Sequence, residues 1–250
     1  MLRPRARQDP MILLFTDFGP GGPYTGQVEA VLAREAPGVA AVRIMEDAPA
    51  MRAGAAAVLL AALVETVPPP AVWLCVVDPG VGTARRALAV RTAGRWLVGP
   101  DNGLMEPAVR RLGGGRWHEI RWRPSRLSDT FHGRDLFAPA AARLARGAPL
   151  DMAPVPAPDH GVADEPAEVI YVDPYGNCVT GLRAGAVAGG AVLVAAGRRL
   201  RRARTFGEVP PGAAFWYVDS MGLVEIAVHG GSAAARLGLR VGDPVAVERA

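Results

Sequence analysis

The chain is expected to pair an N-terminal α/β domain, built on a largely parallel sheet, with a smaller C-terminal all-β, barrel-like domain. Three observations in its 250 residues predict this. Strand-like apolar runs alternate with helix-like runs up to Gly147. A proline-rich stretch with few large apolar residues follows. Beyond it the helical signal stops, and short strand-like runs are separated by glycine-rich turns. The expected boundaries are 11–150 for the α/β domain, 151–166 for a linker and 167–250 for the β domain.

The elements follow in order. In MILLFTDFG, Ile12, Leu13, Leu14 and Phe15 form a buried strand with Asp17 at its carboxyl end. The Gly/Pro-rich GPGGPYTG turn leads to a helix over 27–34, which ends near Pro37 and Gly38. A second strand spans 39–45, and an alanine- and leucine-rich helix spans 53–67, stopped by the prolines at 68–70. The stretch AVWLCVVDPGVGTARR, 71–86, is a buried strand ending in a charged turn. Asp78 sits at its carboxyl end, Pro79, Gly80 and Gly82 force the turn, and Arg85 and Arg86 follow. A hairpin-like pair, 87–92 and 96–98, turns at Ala93 and Gly94, and GPDNGLM forms another polar tip that suits a turn or lines a site. A short helix covers 106–112. Thr130 to Asp135 then gathers hydroxyl, aromatic, imidazole, guanidinium and carboxylate groups in a loop before a helix that ends at Gly147. In the second domain, strands are expected at 169–172, 191–194, 214–218, 224–227 and 244–247.

Composition narrows the function. Half of the residues are hydrophobic, enough for a substantial core, and every apolar run is short or broken, so no membrane span is expected. The first ten residues are basic and are followed by no signal-peptide core, which reads as a frayed or translated-upstream tail on a cytoplasmic protein. Two cysteines, Cys75 and Cys178, make neither a disulfide framework nor a zinc site. The net charge is +4 and all basic residues are arginine. The densest run, 198–204, lacks interleaved aromatics and reads as a solvated hairpin, so no nucleic-acid partner is expected.

Asp17, the Asp78–Arg85 pair and His132 stand out as candidate chemistry. His132 is one of four histidines, with His118, His160 and His229, and no two have metal-ligand spacing. DPGVGTARR lacks the Lys-Ser/Thr of a phosphate loop, GGPYTG does not match a dinucleotide fingerprint, and no G-x-S-x-G is present.

The ordered set TDFG, PYTG, VVDPGVGTARR, GPDNGL, TFHGRDLFAP, DPYGN and SMGLVEIAV, spread from about Met11 onward, resembles the S-adenosylmethionine (SAM) hydroxide adenosyltransferases, relatives of the SAM-dependent fluorinase and chlorinase. The resemblance implies hydrolysis of SAM to adenosine and methionine by attack of water at the ribose 5′ carbon. It implies SAM as substrate and no cofactor or metal. It also implies a homotrimer, with SAM between the N-terminal domain of one subunit and the C-terminal domain of the next. By the same resemblance Asp78, Arg85 and His132 match the water-activating set, and Asp17 matches the carboxylate that holds the ribose hydroxyls. Thr130 and Phe131 match the lining of the ribose and reaction centre, and Tyr24 of PYTG is a further substrate contact. Asp173, Asn177 and Ser220 match groups near the methionine end and the adenine, Tyr175 a stacking position, and the EIAV backbone from Glu225 to Val228, with Glu225 and Ala227 as contacts, the edge that reads adenine.

Either His132 or Asp78 is open as the base. An Asp78 paired with Arg85 would stay ionised and weakly basic, which favours His132. Two alternatives compete: a SAM- or adenosine-binding protein with little turnover, and a SAM-dependent halogenase. Departures from the family pattern gather in RIMEDAPAMRAG, where Glu46, Asp47 and Pro49 stand in place of an expected D-x-x-H-like segment and a stacking aromatic, and at Gly22, before PY.

Overall fold

The computed structural model describes residues 11–248, so the basic tail expected over 1–10 lies outside the described residues. The chain divides into two compact units, one ending at Val162 and the other starting at Ala163.

The first unit is built on a seven-stranded sheet: β1 (Met11–Thr16), β2 (Ala41–Met45), β3 (Ala71–Val76), β4 (Ala87–Thr92), β5 (Arg95–Pro100), β6 (Arg116–Ile120) and β7 (Met152–Pro154). Their order is β2-β1-β3-β5-β4-β6-β7. β2, β1, β3 and β5 run parallel, and β4, β6 and β7 each run antiparallel to the preceding neighbour. Five strands therefore point one way, β4 and β7 the other. Helices α1 (Tyr24–Glu35), α2 (Ala53–Leu63), α3 (Glu106–Arg111) and α4 (Ala138–Ala145) cover the sheet.

Burial explains the apolar runs. Ile12, Leu14, Val72, Leu74 and Val76 pack with Val28 and Leu32 of α1 and the alanine face of α4. Leu13, Phe15, Trp73 and Cys75 alternate onto the opposite face and are just as buried. α2 is buried without a break from Ala55 to Ala62 and packs on α3, so that stretch has no solvated stripe. The β4–β5 turn falls at Ala93 and Gly94, both at positive φ (43° and 76°), as a two-residue hairpin requires.

Several elements differ from expectation. α2 ends at Leu63, short of the expected residue 67. Gly133–Phe137 forms one wide π-helical turn ahead of α4, so His132, Arg134 and Asp135 stand at and within the start of a helix rather than in a loop. β6 was not expected, and β7 occupies the beginning of the stretch read as a linker, hydrogen-bonded to β6.

The second unit holds β8 (Val169–Val172), β9 (Cys178–Arg183), β10 (Val192–Ala195), β11 (Arg198–Leu200), β12 (Ala214–Val218), β13 (Leu223–Val228) and β14 (Val245–Glu248). They form antiparallel sheets of order β12-β13-β9-β8 and β11-β10-β14. Bridges from Glu168 to Pro244 and from Arg202 to Trp216 join the sheets at both edges, so the hydrogen-bond circuit is barrel-like. β9 was not expected, and β11 pairs antiparallel with β10 in the stretch read as a solvated hairpin. The short helix α5 (Ala233–Leu237), capped by Ser232 accepting from the Ala235 N–H (3.1 Å), was not expected either. The arginine run enters β11 and is largely occupied within the unit: Arg199 pairs with Glu248, Arg204 with Glu208 (2.6 Å), and Arg202 lies over Trp216. Among the described residues no helix is long and apolar enough to cross a membrane.

Candidate active site

In the first unit the chain passes from β1 to one neighbour, β2, and then to the other, β3, so its direction reverses between β1 and β3. The crevice beyond the carboxyl ends of such a pair is where open α/β sheets bind ligands. β1 and β3 are in register, Thr16 beside Val76, so Asp17, one residue beyond its strand, and Asp78, two beyond, emerge from adjacent strands at the same end of the sheet. Their like charges and the burial of Asp17 push the Asp17 carboxyl above its ordinary range, with burial the larger cause. The Asp17 Oδ2 accepts the Met51 N–H (3.0 Å), so the segment that departs from the family pattern lies against this carboxylate through its backbone. Within that segment Glu46 pairs with Arg43, which is also held by Glu29 (2.6 Å).

The turn after Asp78 brings Arg85 back onto it. Arg85 Nε donates to Asp78 Oδ1 (2.8 Å) and Nη2 to Asp78 Oδ2, a bidentate pair with both side chains largely buried. The same Nη2 lies 2.8 Å from His132 Nδ1. A guanidinium nitrogen only donates, so Nδ1 is the acceptor and the neutral ring carries its proton on Nε2. Burial, then the nearby Arg85 charge, holds the His132 pKa below that of a free imidazole, against the opposing pull of Asp78 and Asp129. Arg85 is further seated over the Phe137 ring, 5.1 Å from its centre.

Glycines make this approach possible. Gly82 has φ 77°, and a Cβ there would overlap the Asp129 carbonyl oxygen, so the 78–85 turn packs directly on the loop before His132. A Cβ on Gly133 would press on the Phe18 ring. Phe18, Tyr24 and Phe131 form a cluster with ring centres 5.3–6.1 Å apart, Tyr24 half exposed. Thr130 is exposed beside it. The structure thus brings Asp17, Asp78, Arg85 and His132 to one end of the sheet, with Tyr24 and Phe131 in the aromatic cluster.

The second unit contains a cavity of about 910 Å³. Asp173, Tyr175, Asn177, Ser220 and Glu225 all line it, joined by Tyr171, Phe206, Tyr217 and Asp219. Asp173 shapes its own turn, accepting from the backbone N–H groups of Tyr175 (2.9 Å) and Asn177 (2.8 Å) and from Asn177 Nδ2 (2.9 Å). Glu225, on the central strand β13, is buried. Desolvation pushes its carboxyl up to about 7, although Tyr217 and Asn177 hydrogen-bond to it. Tyr175 projects almost fully into solvent at the rim. Ala227 is fully buried, its side chain packed with Ala203 and Phe215, and it does not line the cavity. Val228, the last residue of the expected adenine-reading edge, does line it, joined by Gly230, Gly231 and Ser232, which lie just beyond the motifs singled out in the sequence. Among the described residues no group of three or more His, Cys, Asp and Glu side chains could hold a metal ion.

Fold and site define a two-unit protein: an α/β sheet with an Asp–Arg–His cluster at its switch point, and a β unit with an acidic, aromatic-lined cavity. The chain belongs to the SAM hydroxide adenosyltransferase family: residues 12–153 match the family's N-terminal domain and 167–246 its C-terminal domain. It is 43% identical over 256 residues to an (R)-S-adenosyl-L-methionine hydrolase of Thermus thermophilus, covering 94% of this chain and 98% of that one. It is 41% identical over 272 residues to a protein of the same name from Salinispora arenicola, covering 95% and 97%. Among solved structures, an uncharacterized conserved protein from Thermotoga maritima superposes with a TM-score of 0.85 at 30% identity, covering 95% of this chain and all of that one. A conserved hypothetical protein from Thermus thermophilus superposes at 0.75 and 39% identity, covering 96% and 100%.

Proposed function

We propose that this chain hydrolyses S-adenosyl-L-methionine to adenosine and L-methionine, and that, as the names of its relatives specify, it acts on the epimer of R configuration at sulfur. The observation that carries the reading is the contact of one Arg85 nitrogen with both Asp78 and His132, at the carboxyl end of the sheet and beside Asp17.

The reaction is a displacement. A water oxygen forms a bond to the 5′ carbon, the carbon–sulfur bond breaks, and its electron pair neutralises the sulfonium, so methionine leaves as a neutral thioether. The leaving group needs no proton. What the site must supply is an oriented water and a place for the water's proton. We assign that water to the Arg85–His132 contact. Arg85 Nη2 turns its hydrogen bond from His132 Nδ1 to the water oxygen, and the freed Nδ1 takes the proton. The positive charge lost from sulfur then reappears on the imidazole. Asp78 stays ionised and holds Arg85 in place. Asp17 receives the ribose hydroxyls, with Thr130, Phe131 and Tyr24 alongside.

The cavity lined by Asp173, Tyr175, Asn177, Ser220 and Glu225 is assigned to the adenine and methionine ends. We further propose a homotrimer in which the cluster of one copy and the cavity of another copy serve one substrate. A cytoplasmic setting, where SAM is made, fits this activity.

The test is incubation of purified protein with each sulfonium epimer in halide-free buffer, followed by chromatography. Adenosine and methionine should appear in equal amounts from the R epimer and disappear with His132→Ala. SAM recovered bound and intact would overturn the reading in favour of a binding protein.

A further inference from the structure

We propose that Asp101 and Asn102 are positioning residues of the reaction centre, clamping the two ends of the 78–85 turn so that Arg85 stays against Asp78 and His132. This inference rests on the catalytic role proposed for that cluster.

Residues 82–84 are exposed, and besides the Asp78–Arg85 pair the turn's own hydrogen bonds are Val81 N–H to the Asp78 carbonyl (3.2 Å), the Thr83 N–H and hydroxyl to the Gly80 carbonyl (3.1 and 2.7 Å), and a long one from Arg85 N–H to Thr83 Oγ1 (3.4 Å). Both of its ends are also gripped from the GPDNGL stretch. At the first end, Asn102 Nδ2 donates to the carbonyl of Val77, the residue before Asp78 (2.8 Å). Asn102 Oδ1 meanwhile accepts from Leu104 N–H (3.2 Å), which fixes the amide orientation. At the other end, Arg86, the residue after Arg85, donates from Nε to Asp101 Oδ2 (2.7 Å), and the Asp101 N–H donates to the Arg86 carbonyl (3.1 Å). That same carbonyl accepts Arg85 Nη1 (3.4 Å), so shifting it shifts the guanidinium.

The sheet explains why two adjacent residues reach both ends. β5 pairs with β3 on one side and β4 on the other, with Ala87 opposite Pro100. Asp101 and Asn102 therefore leave β5 between the strand that enters the turn and the strand that leaves it. Gly99 permits the close packing, since a Cβ there would overlap the Cys75 carbonyl oxygen. Asp101 is backed by His160, whose Nε2 lies 3.7 Å from Asp101 Oδ1 and whose Nδ1 meets the buried Glu106 carboxylate at 2.6 Å.

The sharpest variant is Asn102→Asp. It keeps an acceptor for Leu104 but sets a carboxylate against the Val77 carbonyl. Asp101→Asn, the second variant, removes the charge facing Arg86. Two readouts are needed: kcat and KM with SAM, and the NMR titration of His132. We expect kcat to fall about 10- to 100-fold with KM within about threefold. The His132 midpoint should rise toward the ordinary imidazole value as Arg85 moves off, with Asp78, Asp129 and Arg123 the other charges acting on the ring. Arg111→Ala, which removes from α3 an exposed partner of Glu65, should change neither. Thermal melting identifies a variant that fails to fold, and the other then decides. If kcat stays within about twofold, or falls with the His132 titration unmoved, the clamp is overturned. If wild type leaves SAM untouched, the functional reading fails, while the titration still decides the clamp.

Discussion

At the scale of single residues, the proton inventory of the Asp78–Arg85–His132 cluster governs what can be measured. The base must be neutral to act, and the folded protein holds His132 neutral below the ordinary imidazole value. Activity is therefore present above that depressed pKa and lost as pH falls through it. The acid limb of kcat/KM should lie below about 6.5; a limb at or above that value contradicts the assignment of His132 as base. His132→Ala should lower kcat about 10²- to 10⁴-fold with little change in SAM affinity, read by calorimetry beside turnover. Asp17→Ala should do the reverse, weakening binding most, and unchanged affinity would remove its ribose role. These three side chains and Asp17 were legible because charged groups clustered at strand ends have little purpose in folding. That Nδ1 of His132 is already occupied was not legible, because only the folded turn shows which atom meets Arg85.

At the scale of elements, the site depends on how closely backbones approach. Gly82→Ala combines a positive φ with an overlap on the Asp129 carbonyl. It should cost about 1–3 kcal/mol in urea unfolding and reduce kcat as well; a stable, fully active variant would show that the turn tolerates displacement. On β13, Glu225 is neutral in the fold up to about pH 7, above its ordinary 4.5. Stability linked to it is present below 4.5 and lost as pH rises through 7. Glu225→Gln should therefore melt a few degrees above wild type at pH 8 and close to it at pH 5. Melting curves that stay parallel across this range would refute the linkage. Most strands were visible as apolar runs. β6, β7, β9 and β11 were not, because their mixed composition gains its order from neighbours already paired. The π-helical turn escaped for a related reason: a one-residue widening leaves the helical pattern almost intact.

At the scale of the whole molecule, the proposed assembly makes a prediction that no single-chain site can imitate. Light scattering should report a trimer, and a fully active monomer would contradict it. Mixing His132→Ala with a variant altered in the second unit, such as Asn177→Ala, should restore part of the activity after subunit exchange. Each inactive copy then lends its intact half to the other. No recovery after demonstrated exchange would count against a shared site.

The linear chain by itself determined the fold class, the order of most elements and the residue types that can do chemistry. These depend on local apolar pattern, on Gly and Pro at turns, and on charges placed where a strand must end. Only the tertiary structure decided which groups meet. It placed Asp17 beside Asp78 through the register of β1 and β3, and set Arg85 Nη2 between two partners. It also added Gly230, Gly231 and Ser232 to the cavity lining beside Val228, and set Asp101 and Asn102 of GPDNGL against the two ends of the 78–85 turn. The physical reason is common to all four. Hydrogen bonds and close backbone approaches act over a few ångströms in space, between residues that sequence separation keeps apart.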